Sequence, residues 1–529
     1  MFLSLPDEML IEIFDKLPSQ DLLTSILCCH KFKYIINNSY RLLQKLPLTL
    51  SDFDDNDDIS IFEEKAPRKS IDRLLLSERR FNNVVIKLKR ENIMSYLSVF
   101  KKFGEFITSL KISTYIFDTA DQLRMLLRYL PNLKYLKTSN ILFKKSENQI
   151  LNTIWSVPKL ELPQLKNLEC VDCSLKLFSV FNNEKIQLRK IRLRNNQDRD
   201  YDVLLEFLSH QKYLNYLLLD HFSTDFFSAD LKCTISSQLE VLKLVDCVII
   251  DRDNIRNLLN FIKAQNHLVK IKLFNTPLPQ EMYRQIFNDK PKLKEVHLDI
   301  SHLLYFHSYY SKCVRSVRKL KLNGSYAFEN LPIFMNVTRM FPNVTSLKLN
   351  SIGEDFVRKI NDKYLFQILN TMKNLQHLQL HTFSSRTNDS NFSNLESLDT
   401  MVMSLTLNTI DYDVNYIGWK NIMRCMKSID KLVIKRDFRD QALNEIVDLI
   451  ISTLKLKHLE LGIGVVTPDI LSNIIYNNNC QELKVLKITI NDFIRMNQNF
   501  NFHKIFNQNH LLLHLCNDSY FNFMNEQIQ

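Results

Sequence analysis

Glycine is nearly missing from this chain, with 6 residues among 529, where ordinary proteins have roughly 7%. Loops that cradle phosphate groups need closely spaced glycines, because a side chain would keep the backbone away from the ligand. The one close pair, Gly462 and Gly464, forms a G-x-G that lacks the rest of a dinucleotide-binding motif. We therefore expect no nucleotide and no other cofactor.

The features of secreted and membrane proteins are missing as well. Ten cysteines spread over 529 residues do not form the closely spaced framework of a disulfide-rich protein. No basic segment followed by an apolar stretch stands at the N-terminus, and no run approaches the roughly 18 apolar residues of a membrane span. These absences predict an intracellular protein of the cytoplasm, the nucleus or both, with no membrane partner.

Residue groups that would hold a metal or carry catalysis are also not apparent. The close cysteine pairs are Cys28-Cys29 and Cys170-x-x-Cys173, and further ligands at the spacing of a zinc site are missing. The thirteen histidines do not cluster with acidic residues at metal-ligand spacing, and no G-x-S-x-G or H-E-x-x-H motif occurs. The sequence predicts no metal site and no enzyme.

The first 45 residues, by contrast, have a clear pattern of three short amphipathic helices. Pro6 suits the start of the first helix and Pro18 ends it. The apolar positions of the second and third helices are Leu22, Leu23, Ile26, Leu27, Phe32, Ile35 and Ile36. A unit of this size cannot bury all of its apolar surface alone, so we expect a partner protein to cover the remainder.

This N-terminal segment resembles an F-box over residues 3 to about 45. The resemblance rests on Leu5-Pro6-Asp7-Glu8-Met9-Leu10, Ile13-Phe14, Leu17-Pro18, Asp21-Leu22 and Cys29-His30-Lys31-Phe32. In that family the segment binds Skp1 and, through it, a cullin. The resemblance implies that the Skp1-binding residues here are Leu5, Pro6, Leu10, Ile13, Leu22, Leu23 and Phe32. Phe32 replaces the usual tryptophan but is still aromatic. The alternative to an F-box is that these helices only cap the rest of the chain.

The remainder of the chain repeats an apolar L-x-x-L-x-L pattern typical of buried strands. Its last apolar position falls at Leu380, Leu407, Ile434, Leu461 and Ile488, a constant step of 27 residues. Clear copies run from Leu193 to Leu349, and weaker ones lie at Ile86, Ile112, Thr138, Cys170 and Leu515, for about seventeen repeats. A period of roughly 20 to 29 residues is typical of leucine-rich repeats.

Between these strands the apolar spacing becomes helical, as in Ile255, Leu258, Leu259 and Ile262. The array resembles the irregular, cysteine-type leucine-rich repeats of F-box proteins, with Cys173, Asn196 and Cys247 at the family's Asn/Cys position. We expect an α/β protein: a short three-helix F-box, then a leucine-rich-repeat solenoid shaped as a horseshoe with parallel inner strands and outer helices. The expected domains are an F-box at 1–48, a charged linker or irregular first repeat at 49–80, and about 17 irregular repeats at 81–529.

Basic residues recur on the face that these strands should present to a ligand. Successive side chains of a strand point to opposite faces, so the residues between the apolar positions line the concave surface. The expected substrate-binding residues are Lys190, Arg192, Arg194, Lys243, Lys270, Lys272, Lys319, Lys321 and Lys348. Such a surface favours an acidic or phosphorylated segment of a protein substrate. The alternative is an ordinary solvated face in a lysine-rich chain.

Nucleic acid is the less favoured partner, although the formal net charge is +11. Single-strand platforms place aromatic rings between their cations, and we expect no such rings among these lysines. The resemblance therefore implies a non-catalytic substrate adaptor of a Skp1-cullin-F-box ubiquitin ligase. The alternative is a non-degradative F-box scaffold that binds Skp1 without ubiquitinating its partner.

Overall fold

The computed structural model describes the chain in segments. These are residues 5–51, 66–77, 79–87, 93–144, 160–181, 185–195, 199, 201–288, 290–299, 313–323, 337–350, 368–383, 401–410, 428–434, 450, 456–463, 483–490 and 512–517. They fall into two compact units, Met1–Leu268 and Val269–Gln529.

Four short helices form the N-terminal segment of the first unit. They are α1 (Asp7–Phe14), α2 (Ser19–Cys28), α3 (His30–Asn38) and α4 (Tyr40–Gln44). Pro6 and Pro18 are the N-caps of the first two helices, where a residue without a backbone N–H costs nothing. The shared core consists of seven side chains, each at most 3% exposed: Leu10, Phe14, Leu22, Ile35, Ile36, Leu42 and Leu46. The three predicted helices are confirmed, and α4 adds Leu42 to their core.

Ion pairs tie α4 to the end of α1. The Arg41 guanidinium contacts the Glu12 carboxylate at 2.7 Å and also contacts Asp15. Lys45 reaches Asp15 from the other side, with 3.4 Å between Nζ and Oδ1. The hydrogen bond from Arg41 lowers the pKa of the Asp15 carboxyl below its usual value. Because these groups lie at the surface, they orient α4 more than they stabilise it.

A parallel sheet follows in the first unit. Its strands are β1 (Leu48–Ser51), β2 (Asn83–Lys87), β3 (Ser109–Phe117), β4 (Tyr135–Phe143), β5 (Asn167–Val171), β6 (Lys190–Arg194), β7 (Tyr216–Asp220) and β8 (Val241–Val245). Each strand pairs in parallel with the next one along the chain. Ile86, Ile112, Thr138, Cys170, Leu193, Leu219 and Leu244 lie opposite one another in this register, as their spacing predicts.

The second unit is built in the same way. Its strands are β9 (Lys270–Phe274), β10 (Glu295–Asp299), β11 (Lys319–Asn323), β12 (Ser346–Asn350), β13 (His377–Phe383), β14 (Ser404–Ile410), β15 (Lys431–Ile434), β16 (His458–Ile463), β17 (Val485–Ile490) and β18 (Leu512–Asn517). They also pair in parallel and in chain order. The predicted apolar positions from Leu273 to Leu515 form one aligned row.

Helices occupy the connections between many of these strands. They are α5 (Ala66–Leu75), α6 (Leu97–Phe103), α7 (Ala120–Arg128), α8 (Phe178–Phe181), α9 (Asp202–Ser209), α10 (Leu231–Thr234), α11 (Arg252–Ala264) and α12 (Gln280–Asn288). On α11 the predicted residues Leu258, Leu259 and Ile262 are buried, and Ile255 is half-buried. Parallel strands joined through such crossovers, each packed on its neighbours, form a leucine-rich-repeat solenoid in each unit.

A left-handed backbone residue recurs at one position of six repeats. Two residues after the last apolar strand position, the backbone takes a positive φ at Thr114, Asn140, Asp172, His221, Asp246 and Asn275. Asn, Asp and His tolerate this left-handed conformation better than most other side chains do. This recurrent turn follows directly on the end of β5, β7, β8 and β9, whereas β3 and β4 continue past it and pair again from Tyr115 and Ile141.

Gly104 lies where two backbone segments approach closely. A Cβ atom added there would be 2.9 Å from the carbonyl carbon of Tyr129 and closer still to its oxygen. Because the obstacle is backbone, no rotamer change relieves it. We expect Gly104→Ala to lower the free energy of unfolding by about 1–3 kcal/mol, measured by urea denaturation. The exposed neighbour provides the control, since Glu105→Ala should change stability by less than about 0.5 kcal/mol.

Candidate functional site

The N-terminal helices expose apolar side chains that the unit itself does not cover. Leu27 is 85% exposed, Tyr34 65%, Met9 52% and Leu23 42%. Leu23 and Leu27 stand four residues apart, so they share one face of α2. This set of four residues, the exposed apolar set of the N-terminal helices, is large for so small a unit and is typical of a protein-binding surface.

The predicted Skp1-binding residues divide into three groups by burial. Leu10 and Leu22 lie in the core and are fully buried. Leu5, Ile13 and Phe32 are half-buried, and Phe32 packs edge-on against Phe14 with 5.0 Å between ring centroids. Pro6 and Leu23 are exposed.

A partner can therefore reach Pro6 and Leu23 directly in this conformation, whereas Leu10 and Leu22 support the surface from beneath. Met9, Leu27 and Tyr34 are as exposed as Leu23 or more so, and the sequence prediction omitted them. Leu27 could have been identified from the sequence, because it stands four residues after Leu23 and therefore on the same face of α2.

Three cations surround the ring of Tyr216 on the open face of the first unit's sheet. The ring centroid is 4.6 Å from Lys190 Nζ, 5.1 Å from Lys243 Nζ and 5.6 Å from the Arg192 guanidinium. The parallel register produces this cluster, because Lys190 lies directly opposite Tyr216 across β6 and β7. Cations over an aromatic face are attracted by its quadrupole, so the ring holds like charges close together.

The hydroxyl of Tyr216 is affected by the same charges. Its oxygen is buried. Burial alone would raise the pKa of Tyr216, but hydrogen bonding and positive charge from Lys243, and then from Arg192, outweigh burial and lower the pKa below its usual value. The hydroxyl is therefore held in a positively charged environment.

Glu169 is the counter-ion at one edge of this cluster. Its carboxylate contacts Lys137 at 2.7 Å and Arg192 at 3.2 Å, and accepts a hydrogen bond from the Tyr135 hydroxyl at 3.1 Å. Although burial opposes it, Lys137 holds the pKa of Glu169 below its usual value. Within the described residues, neither Lys190 nor Lys243 has an ion pair. The charge available to a ligand is therefore concentrated on these two lysines.

Arg194 stands apart from the cluster around Tyr216. Its Nε lies 4.0 Å from Asp172, and it is opposite Asp220 in the register of β6 and β7. Two carboxylates thus moderate its charge. Of the four predicted basic residues of this unit, the structure brings Lys190, Arg192 and Lys243 together and leaves Arg194 at the strand end.

Tyr216 corrects one argument drawn from the sequence. We expected no aromatic residue between the cations of this face, and that expectation is wrong for Tyr216 and for Tyr135, which occupies the same column of the sheet. Tyr216 directly precedes Leu217 as Lys190 precedes Ile191, so the same repeat alignment that selected the lysines could have identified it.

The second unit presents a basic row on its own sheet face. Lys272, His297, Lys321 and Lys348 lie opposite one another on adjacent strands. Lys319 is exposed in the neighbouring column. Lys270 is paired with Glu295 at 2.6 Å, and the same carboxylate contacts His297 at 2.8 Å. The five predicted lysines of this unit therefore share one face, with Glu295 as a counter-ion.

One group with the composition of a metal site occurs among the described residues. Side-chain ligand atoms of Asp220, His221 and Asp246 lie within 4.8 Å of one another, contrary to the expectation that no histidine clusters with acids. His221 Nδ1 and Asp220 Oδ1 form a hydrogen bond of 2.7 Å. His221 and Asp246 are residues of the recurrent turn, so the geometry of that turn accounts for the cluster.

The cysteines of the repeat positions belong to the core. Cys170, Cys173 and Cys247 are buried, and the Cys247 thiol donates to the Val245 carbonyl at 3.4 Å. Burial raises the pKa of Cys170 and Cys173, and raises that of Cys247 to about 12. Thiols in this state are poor nucleophiles and poor metal ligands. Asn196, the third residue predicted at this position, lies outside the described residues.

A family model for the F-box domain matches residues 2–44. The predicted F-box is thereby confirmed in the segment that contains the four N-terminal helices, and it supports a role in binding a Skp1-type adaptor of ubiquitin ligases. The match does not extend to the repeats. Within the described residues, none of the helices has the length and apolar character needed to span a bilayer.

Two solved structures are similar to this chain in fold at low sequence identity. One is a protein from Bacteroides fragilis, with 16% identity, a TM-score of 0.30, and coverage of 44% of this chain and 69% of that protein. The other is a TLR13–ssRNA13 complex, with 14% identity, a TM-score of 0.39, and coverage of 90% of this chain and 75% of that one. No curated protein sequence matches the chain.

His297 should make the stability of the protein sensitive to acid. Burial lowers the pKa of His297 to about 4, against the opposing effect of Glu295. An unfolded histidine has a pKa of about 6.5, so between these two values the unfolded state binds a proton that the folded state does not. The free energy of unfolding should therefore fall as the pH drops from about 6.5 towards 4.

We expect His297→Asn to reduce the acid-induced fall in the free energy of unfolding by up to about 3 kcal/mol. Urea denaturation at pH 7 and at about pH 4 measures this difference. The exposed His267 provides the control, because His267→Asn should keep the acid sensitivity of the original chain. An unchanged pH dependence in His297→Asn would contradict a buried, neutral imidazole.

Proposed function

We propose that this chain is the substrate-recognition adaptor of a Skp1-cullin-F-box ubiquitin ligase. The observation that carries the proposal is the union, in one chain, of an F-box domain at residues 2–44 with a repeat sheet whose open face holds a cluster of cations. The F-box would bind Skp1, and the repeats would bind the target protein. The chain would catalyse nothing itself, since its contribution is proximity between the target and the ubiquitin-loaded enzyme. Such a complex acts in the cytoplasm, the nucleus or both.

The proposed Skp1 contact is the exposed apolar set of the N-terminal helices. It comprises Leu23 and Leu27 on α2, Met9 on α1 and Tyr34 on α3, together with the exposed Pro6 at the start of α1. Burial of exposed leucine side chains against a partner is favourable by about 25 cal/mol per Å². Leu5, Leu10, Ile13, Leu22 and Phe32 would act by packing this surface from beneath and at its edges.

The proposed target is a protein with an acidic or phosphorylated recognition segment. Lys190 and Lys243 are the best-placed residues for it, because they have no ion pair within the described residues and flank the same ring. Hydrogen bonds between cations and carboxylate or phosphate groups are stronger than neutral ones. In the second unit, Lys272, Lys319, Lys321 and Lys348 offer a further row of contacts, with Lys270 held by Glu295.

Single-stranded nucleic acid is a weaker candidate for this face. A nucleobase needs a free aromatic face for stacking, and the ring of Tyr216 already has Lys190 and Lys243 within about 5 Å of its centroid. Stacking would have to displace these contacts.

We propose the domain division expected from the sequence: an F-box at 1–48, residues 49–80 as linker or irregular first repeat, and repeats at 81–529. The pairing of β1 with β2, in which Leu50 lies opposite Ile86, supports the first-repeat interpretation of the middle segment.

A non-degradative scaffold that binds Skp1 would use the same two surfaces. Cullin in the purified complex favours the ligase adaptor, and Skp1 without cullin favours the scaffold.

We expect Leu23→Asp with Leu27→Asp to abolish Skp1 and cullin binding in a pull-down with the intact chain, because two charges would be buried at the interface. Leu76→Asp with Ile250→Asp is the matched control, since these residues are 83% and 77% exposed and lie outside the F-box. Circular dichroism should show that all variants are folded. Undiminished Skp1 binding by the double variant would exclude the apolar set as the interface.

We expect Lys190→Gln, Arg192→Gln and Lys243→Gln together to weaken binding of a phosphoserine- and glutamate-rich peptide by at least about tenfold. The control replaces exposed lysines away from the cluster, Lys101→Gln, Lys134→Gln and Lys212→Gln, which removes the same total charge. Fluorescence anisotropy at two salt concentrations measures both effects. Preferential binding of a single-stranded RNA of equal charge would instead favour nucleic acid as the partner of this face.

A further inference from the structure

A second basic site lies in the first unit, away from the sheet face. An open cavity of about 800 Å³ separates α3 from the stretch that leads into β2. Lys33, Tyr34 and Asn37 line it from α3, and Arg79 and Arg80 line it from the opposite side. We propose that this cavity binds a compact, phosphate-bearing anion. The proposal is independent of the function proposed for the sheet face.

The described residues of the lining carry charge of one sign. His30 adds a titratable group to the three cations Lys33, Arg79 and Arg80, and no carboxylate is among the described lining residues. Within the described part of the chain, none of these three cations has an ion pair. Three cations gathered around one cavity give it a positive potential that attracts anions.

Arg79 is the residue for which an anion matters most. Its guanidinium donates to the carbonyl oxygen of Leu46 at 3.2 Å and lies 5.1 Å from the centroid of the Phe81 ring. Its Nε is buried and has no hydrogen-bond partner among the described residues. Burial lowers the pKa of Arg79 below its usual value. A half-buried guanidinium with only neutral partners is costly, and an oxyanion in the cavity would compensate its charge.

The number of cations and the size of the cavity narrow the chemistry of the ligand. A phosphate group offers several anionic oxygens and can therefore contact Lys33, Arg79 and Arg80 together, whereas chloride is a single small ion. The volume exceeds that of one phosphate and suits a small ligand bearing it, because small-molecule sites occupy about 300–1,000 Å³.

The ligand would contact two parts of the unit at once. Lys33 belongs to the F-box helices, and Arg80 precedes the second strand of the sheet. An anion bound to both would stabilise the folded arrangement by mass action and would raise the unfolding temperature with its concentration.

The test uses the intact chain and inorganic pyrophosphate as the probe, by isothermal titration calorimetry and thermal unfolding at ionic strength held constant with NaCl. We expect saturable binding and a rise in unfolding temperature. Lys33→Gln with Arg80→Gln should weaken binding by at least about tenfold. Arg79 is left in place, since its bond to Leu46 also supports the fold. Lys101→Gln with Lys134→Gln is the control, because it removes the same charge from exposed positions outside the cavity.

Three results would overturn the proposal: no saturable binding, equal weakening in the control, or unchanged binding in the Lys33 and Arg80 variant. Each is distinct from failure of the adaptor function, because Arg80 lies outside the F-box, and Arg80→Gln alone should weaken pyrophosphate binding and leave Skp1 binding unchanged.

Discussion

Burial of one apolar residue against its counterpart in the next repeat is the interaction on which this structure depends. In each unit the row of buried leucine and isoleucine side chains requires every strand to pair in the same parallel register. If the strands were shifted by one residue, Leu217 and Leu219 would point outwards. Leu218 and the residues opposite it, Arg192 and Lys243, would then be buried. The register in turn places Lys190 opposite Tyr216 and Lys272 opposite His297. The arrangement of charged residues on the open face is thus a consequence of how the apolar residues on the buried face pack.

Columns of like residues also create a difficulty, because lysines on adjacent strands of a sheet repel one another. Both units reduce this repulsion with a carboxylate placed between cations. In the first unit Glu169 lies between Lys137 and Arg192, and in the second Glu295 contacts both Lys270 and His297. Tyr216 supplies a further device, since its ring attracts cations without cancelling their charge. The face therefore remains positive where carboxylates alone would have neutralised it.

The repeat strands were predictable from sequence, and the composition of the sites was not. Apolar spacing locates all seventeen predicted positions, because burial acts on each repeat in the same way. The first strand escaped prediction, since Leu48–Ser51 is short and α5 separates it from the next copy. The cluster of Asp220, His221 and Asp246 depends on a left-handed turn, which no spacing rule reveals. Tyr216 was missed although the repeat alignment places it beside Lys190, because the spacing rule selected charged residues and passed over an aromatic one at the same position.

The F-box illustrates the same limit on a smaller scale. Helical periodicity identifies which residues are apolar and regularly spaced, but a small unit divides them between its own core and a partner. Leu22 and Leu23 are adjacent in sequence and about 100° apart around α2, so one is fully buried and the other exposed. A core formed by Leu10, Phe14 and Leu22 holds α2 against α1, so that the face of α2 with Leu23 and Leu27 stays turned to solvent. The buried residues thus contribute to recognition by fixing the positions of the residues that touch the partner.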